Sequence, residues 1–192
     1  MKNYFLLTIM TIGLLLIGCG SKSGPDLSPD ASKKTIGNMP DWFLNNPEKE
    51  GYKYYAATET SQDMQMAIDK AALTAANALA GQMDSEMSAL IKRAKEETGL
   101  GEDSDIIDRF SSTQEQIISK SLQDYKIKNK DIQMDSGNIY RAYVLIEWDA
   151  GAANKKLLAQ IKADEALYTA MRTTELFDEM EAKTEAYRQR KQ

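Results

Sequence analysis

Ile139-Tyr140-Arg141-Ala142-Tyr143-Val144-Leu145-Ile146-Glu147-Trp148 decides how this chain folds. Tyr140, Ala142, Val144, Ile146 and Trp148 fall on one face of an extended segment, and Tyr143 and Leu145 on the other, following the two-residue period of a strand. A strand apolar on both faces is central in its sheet or covered twice. Immediately before it, Asp135-Ser136-Gly137-Asn138 is a turn signal. Further upstream Tyr125, Ile127 and Asn129, then Ile132 and Met134, alternate with a change of phase. The spacing predicts a second strand, slipped or bulged near Lys130, closing an antiparallel hairpin with 139–148.

Outward from the hairpin, Tyr52 to Thr60 reads as another strand, rich in Tyr and Thr and opened by Gly51. Ser61 is the predicted N-cap of the next element, with Asp63 in its first turn. Met64, Ile68, Ala71, Ala72, Ala75, Leu79, Met83, Met87, Leu90, Ile91 and Ala94 then recur every three or four residues. That period predicts a long amphipathic helix ending near Gly99. Its first half, Ala71 to Ala80, is rich in alanine, so it can lie close on a sheet, and its methionines fill core gaps. A second helix follows from a cap at Ser104, with Ile107, Phe110, Gln114, Ile117 and Ser121 on one face, widened by Ile106, Ile118 and Leu122.

After the hairpin, Asp149 is placed to cap a last helix of residues 152–190, marked by Leu157, Leu158, Ile161, Tyr168, Met171, Phe177, Met180 and Tyr187. Asp164 and Glu165 interrupt its stripe. Such a helix would run about 57 Å, longer than one small core covers, so its far end must fold back or pack on another chain. Ahead of the first strand, Met39 to Pro47 holds Trp42, Phe43 and Leu44 between two prolines. This suits an extended segment laid over the core. The predicted class is α+β: a small antiparallel sheet built from a strand, a long helix, a second helix and a β-hairpin, with a long C-terminal helix over 150–192.

The N-terminus states an address. Lys2 precedes an apolar run from Phe5 to Ile17, which ends at Leu16-Ile17-Gly18-Cys19. The run falls short of the roughly 20 residues that span a bilayer and reads as a signal peptide over residues 1–18. Leu-Ile-Gly-Cys looks like a bacterial lipobox, which makes Cys19 the lipidation site: a diacylglyceryl thioether, carrying acyl chains of the palmitate kind, on a Cys that becomes residue one. One myristoyl chain binds a membrane only marginally, at roughly 10⁴ M⁻¹, whereas two or three chains tether stably. Gly20 and Ser21 follow, not the Asp that retains lipoproteins at an inner membrane, so the expected location is the outer membrane. Residues 19–38, rich in Ser, Gly, Pro, Asp and Lys, are a flexible lipidated tether.

Composition narrows the chemistry. Loss of residues 1–18 removes Lys2 and leaves 23 basic and 29 acidic residues, a net charge of −6 without a basic block. Nucleic acid is therefore a poor partner. Lipidation of the only cysteine leaves no disulfide. With no histidine in the chain, there is no Ser-His-Asp or Cys-His nucleophile and no ordinary zinc site. Carboxylate pairs such as Glu96-Glu97 and Glu102-Asp103 stand in a polar context that suits a solvated face, and Gly99-Leu100-Gly101 lacks the rest of a phosphate-binding loop. The reading assigns no catalytic, cofactor-binding or metal-ligating residue.

Pro40-Asp41-Trp42-Phe43, the Gly51-Tyr52 strand, the alanine-rich helix over 67–80 and the hairpin closing on Trp148, in this order behind a lipobox, resemble the LPP-twenty family of bacterial surface lipoproteins, which includes flagellar outer-membrane disk lipoproteins. The resemblance covers residues 39–149. It implies a compact α+β domain comparable to dodecin and a non-enzymatic, oligomeric envelope protein, in some relatives part of rings around the flagellar motor. The family often has glycine in the first strand, and Ala56-Ala57-Thr58-Glu59 has none; the helix at 104–122 and the C-terminal helix are additions. The flavin-binding residues of dodecins are not found, so no ligand is transferred. The expected function is a self-associating structural lipoprotein with envelope or flagellar partners. The alternatives are a periplasmic module that binds a small ligand or peptidoglycan on the sheet, and a hydrolase built on two facing carboxylates.

Overall fold

Lys53–Ser61 (β1), Lys126–Asp135 (β2) and Ile139–Trp148 (β3) form one antiparallel sheet in the order β1-β3-β2. The doubly apolar strand is thus the central one. The computed structural model describes residues 37–192 except 103, 136 and 137, and Met39–Gln192 is a compact unit. The signal peptide, Cys19 and nearly all of the tether lie outside the described residues, as does the middle of the turn before β3. Its last residue, Asn138, has φ 57.

β1 pairs with β3 without a slip, from Lys53 opposite Trp148 to Ser61 opposite Tyr140. The β2–β3 register shifts between Ile127 and Asn129. The extra residue is Lys128, two positions before the predicted slip. Ile127 and Ile132 are an odd number of residues apart, so one residue between them must be absorbed if both are to share a face. Lys128 leaves the ladder and pairs with Glu147 at 3.2 Å.

Met64–Thr98 is one helix of 35 residues (α2). Ala67, Ile68, Ala71, Ala72, Ala75, Leu79 and Met83 pack against Ala142, Val144, Ile146 and Trp148. Its cap is Asp63, whose carboxylate accepts from the Met66 amide at 2.8 Å, and not Ser61, which stays in the ladder opposite Tyr140. The helix ends at Gly99, left-handed at φ 69, whose amide donates to Lys95 O. On the other face of β3, Tyr143 meets the edge of Phe43 at 5.0 Å. Phe43 belongs to Asp41–Leu44 (α1), a single helical turn where an extended segment was predicted. Pro40 sits at its N-cap, where the missing N–H costs nothing. Trp42 is half-buried beside Phe43.

Asp105–Leu122 (α3) buries Ile107, Phe110, Gln114, Ile118 and Ser121. Ser104 stands at its N-cap without a side-chain bond. The C-terminal segment departs from the single helix predicted for 152–190. It forms Ala150–Ala163 (α4), Glu165–Met171 (α5) and a long last helix, Glu175–Lys191 (α6). Asp164 ends α4 and caps α5, accepting from the Ala166 and Leu167 amides at 3.0 and 3.1 Å. Thr174 caps α6 through the Phe177 amide at 3.2 Å. The polar break in the stripe is therefore a chain reversal, and α6 returns along α4. A second core forms there from Phe110, Leu157, Ile161, Leu167, Met171, Leu176 and Phe177.

Candidate functional site

β1 is an edge strand, and beside its first half the chain leaves an open groove of about 860 Å³. Asn46 to Glu50 form one wall, Tyr52 to Tyr55 the other, and Gln82 of α2 closes one side. Gly51, at φ 82, makes the sharp turn between the walls, and the Tyr52 amide donates back to Lys49 O at 3.0 Å. Lys53 pairs with Glu86 of α2. The hydroxyl of Tyr54 donates to Glu147 at 2.7 Å. Burial, together with that carboxylate, pushes the Tyr54 hydroxyl up to about 12. Glu147 is held below the usual carboxylate range; burial opposes this but is outweighed by the bonds from Tyr54 and Lys128. The Tyr54 bond joins directly opposed residues of β1 and β3.

Next to the groove, α6 docks on the start of β1. Tyr187 donates its hydroxyl to Asp149 at 2.8 Å, and Lys191 Nζ lies 3.2 Å from the same oxygen. Lys191 also sits 5.4 Å from the ring centres of Tyr52 and Tyr187, and Lys49 lies 4.4 Å over Tyr52. The Asp149 carboxyl lies below its ordinary range: burial works to raise it, but the Ala152 amide, Tyr187 and Lys191 prevail. The Gly151 amide donates to Gly51 O at 2.8 Å. A Cβ on Gly151 would lie 2.2 Å from the Tyr187 ring, so only glycine admits this contact. Asp149 caps α4 as expected, accepting from the Ala152 amide at 2.9 Å, but the rest of the joint was not anticipated. Its one signal is a glycine two residues after a capping Asp.

The acidic pairs of the sequence are separated. Glu96 is exposed, 3.8 Å from Lys92, and Glu102 is 3.4 Å from Lys95; Asp103 lies outside the described residues. Glu97 accepts from the Leu176 amide at 2.8 Å and pairs with Arg93, which grips Glu179 through two bonds of 2.9 Å. It is thereby committed to fastening α6 onto α2. Among the described residues no group of three or more acidic, His or Cys side chains is gathered as metal ligands, and no helix is long and apolar enough to cross a membrane.

The arrangement offers contact surface: an open strand edge, three tyrosines beside it, and titratable groups tied to one another. Compared with protein-family models, curated proteins and solved structures, the chain matches none.

Proposed function

We propose that this chain is a non-enzymatic lipoprotein of the LPP-twenty kind, held in the bacterial outer membrane by acyl chains on Cys19 and working as a self-associating envelope component. Leu16-Ile17-Gly18-Cys19 carries the reading. The folded unit supports it, since Glu97, Glu147 and Asp149 each tie one helix or strand to another and its strand edge is open to a partner. Flagellar or other envelope proteins are the partner class that the family resemblance suggests. Cys19→Ser and the unsubstituted chain, fractionated side by side, test the address. The unsubstituted chain is expected in the outer-membrane fraction and the variant unprocessed and missing from it; a variant still processed and membrane-bound removes the lipid anchor from the proposal.

The groove beside β1 favours a second reading, binding of a peptidoglycan fragment against Tyr52, Tyr54 and Tyr55. Calorimetric titration with muropeptides tests it. Heat that disappears in Tyr52→Ala supports the reading, and no heat at millimolar ligand dismisses it.

A further inference from the structure

We infer that β1 is the assembly edge, where a second copy of the chain adds β1 against β1 about a two-fold axis at Ala56, making one six-stranded sheet. This names the interface for the self-association proposed above and rests on it.

The two edges of the sheet are treated differently. β2 carries Lys126, Lys128 and Lys130 and a bulge, the devices that stop an edge from pairing. β1 has one lysine, no proline and no bulge across its nine residues. Among the described residues its backbone pairs with β3 alone.

The edge is also self-complementary. An antiparallel pair centred on Ala56 sets Lys53 opposite Glu59 of the second copy, and does so twice. Tyr55 then faces Ala57, and Tyr54 faces Thr58. Opposite charges and an aromatic against a β-branched neighbour are favourable cross-strand pairs, and Ala57 leaves room for the Tyr55 ring. The far end of the incoming strand, Thr60 and Ser61, enters the open groove beside Tyr52 to Tyr55.

The helix above completes the fit. Thr74 donates to Glu59 at 2.9 Å and Glu86 pairs with Lys53, so α2 runs antiparallel to β1, with residues 74–86 alongside it. The flank between those contacts presents Thr74, Ala78, Gly81 and Ser85, all exposed, with Gln82 drawn toward Glu86 by a bond of 2.9 Å. α2 lies over β1 and β3 and scarcely reaches β2. With paired strands about 4.8 Å apart, α2 and its copy come within about 10 Å on the same side of the joined sheet. That is the spacing of packed helices, and small flanks permit it. Gly81 marks the crossing. Glycine weakens a helix interior, and a Cβ at Gly81 would meet nothing within 4 Å in its own chain. The approach of a second helix supplies the missing reason.

The test uses the full chain in membranes of producing cells, with the unsubstituted chain as blank. Ala56→Cys is expected to give a disulfide-linked dimer on mild oxidation, because directly opposed residues across an antiparallel pair are within disulfide reach. Met134→Cys, exposed on β2, is expected to stay single. Adding Gly81→Leu to Ala56→Cys should cut the dimer at least tenfold, although residue 81 has open space in the lone chain. Lys53→Glu should cut it similarly, and Lys53→Glu with Glu59→Lys should restore it, which repair of a contact within one chain would not do. If an amine-reactive cross-linker captures oligomers while Ala56→Cys stays single, or Gly81→Leu leaves the dimer unchanged, this edge is wrong and self-association stands. If neither reagent captures more than one copy, both fall.

Discussion

Between α2 and the sheet the contact residues are mostly Ala67, Ala71, Ala72 and Ala75, whereas between α3 and the C-terminal helices they are Phe110, Leu157, Ile161, Leu167 and Met171. The first core brings backbones close and leaves little volume to exchange. The second is filled by long side chains reaching across a wider gap. Close-packed interiors resist both added and removed volume. The two regions should therefore fail in opposite ways: the alanine interface when atoms are added, the C-terminal cluster when they are taken away.

The largest effect is expected in the second core. Phe110, 1 % exposed, should cost about 3–5 kcal/mol when replaced by Ala, read as a lowered denaturation midpoint in urea. A loss below about 1 kcal/mol would mean that the cluster collapses onto the hole, and the contrast between the cores would fail. Next comes overpacking. Ala75→Leu, at a fully buried position, should cost about 1–3 kcal/mol, while Ala89→Leu on the exposed side of the same helix should stay within about 0.5 kcal/mol. Equal midpoints for the two would show that α2 has room to lift off the sheet.

A smaller loss is expected at the reversal before the last helix. Thr174 accepts from the Phe177 amide and donates to Met171 O at 2.7 Å. Thr174→Ala should cost about 0.5–2 kcal/mol, with hydrogen exchange rising in α6 and not in β3. Acid should act on the same helix. Asp149 and Glu97 both titrate below their usual range and both hold α6, through Tyr187 and through the Leu176 amide. The unfolded chain takes up those protons near pH 4, before the folded chain does. The stability they provide is thus full above that point and is lost as pH falls through the folded values. The melting temperature should be level from pH 7 to 5 and decline below about 4, with a shallower decline in Asp149→Asn. An unchanged slope would show that these ties do not hold α6.

The same contrast explains what could be read in advance. The sheet, its central strand and the alanine face of α2 follow from local periods of two and of three to four, and each residue of Ile139–Trp148 faces the way its parity demands. The C-terminal region was helical by period, but its path depends on single side chains. Asp164 and Thr174 each satisfy amides of the following helix, and a polar residue within a helical period looks the same whether it faces water or starts a new helix. The bulge position and the one-turn helix at Asp41 were settled by tertiary contacts. The groove beside β1 was not legible either, because it is made by residues 46–50 lying next to a strand edge, and proximity of this kind leaves no periodic trace.

Glu50 pairs with Arg190, and Gly51 with Gly151, at the joint where α6 meets β1. The last helix therefore ends at the corner where the chain turns into β1. A fluorophore placed past Gln192 reports on residue 50 and on the start of β1, which makes the tail a handle for that corner.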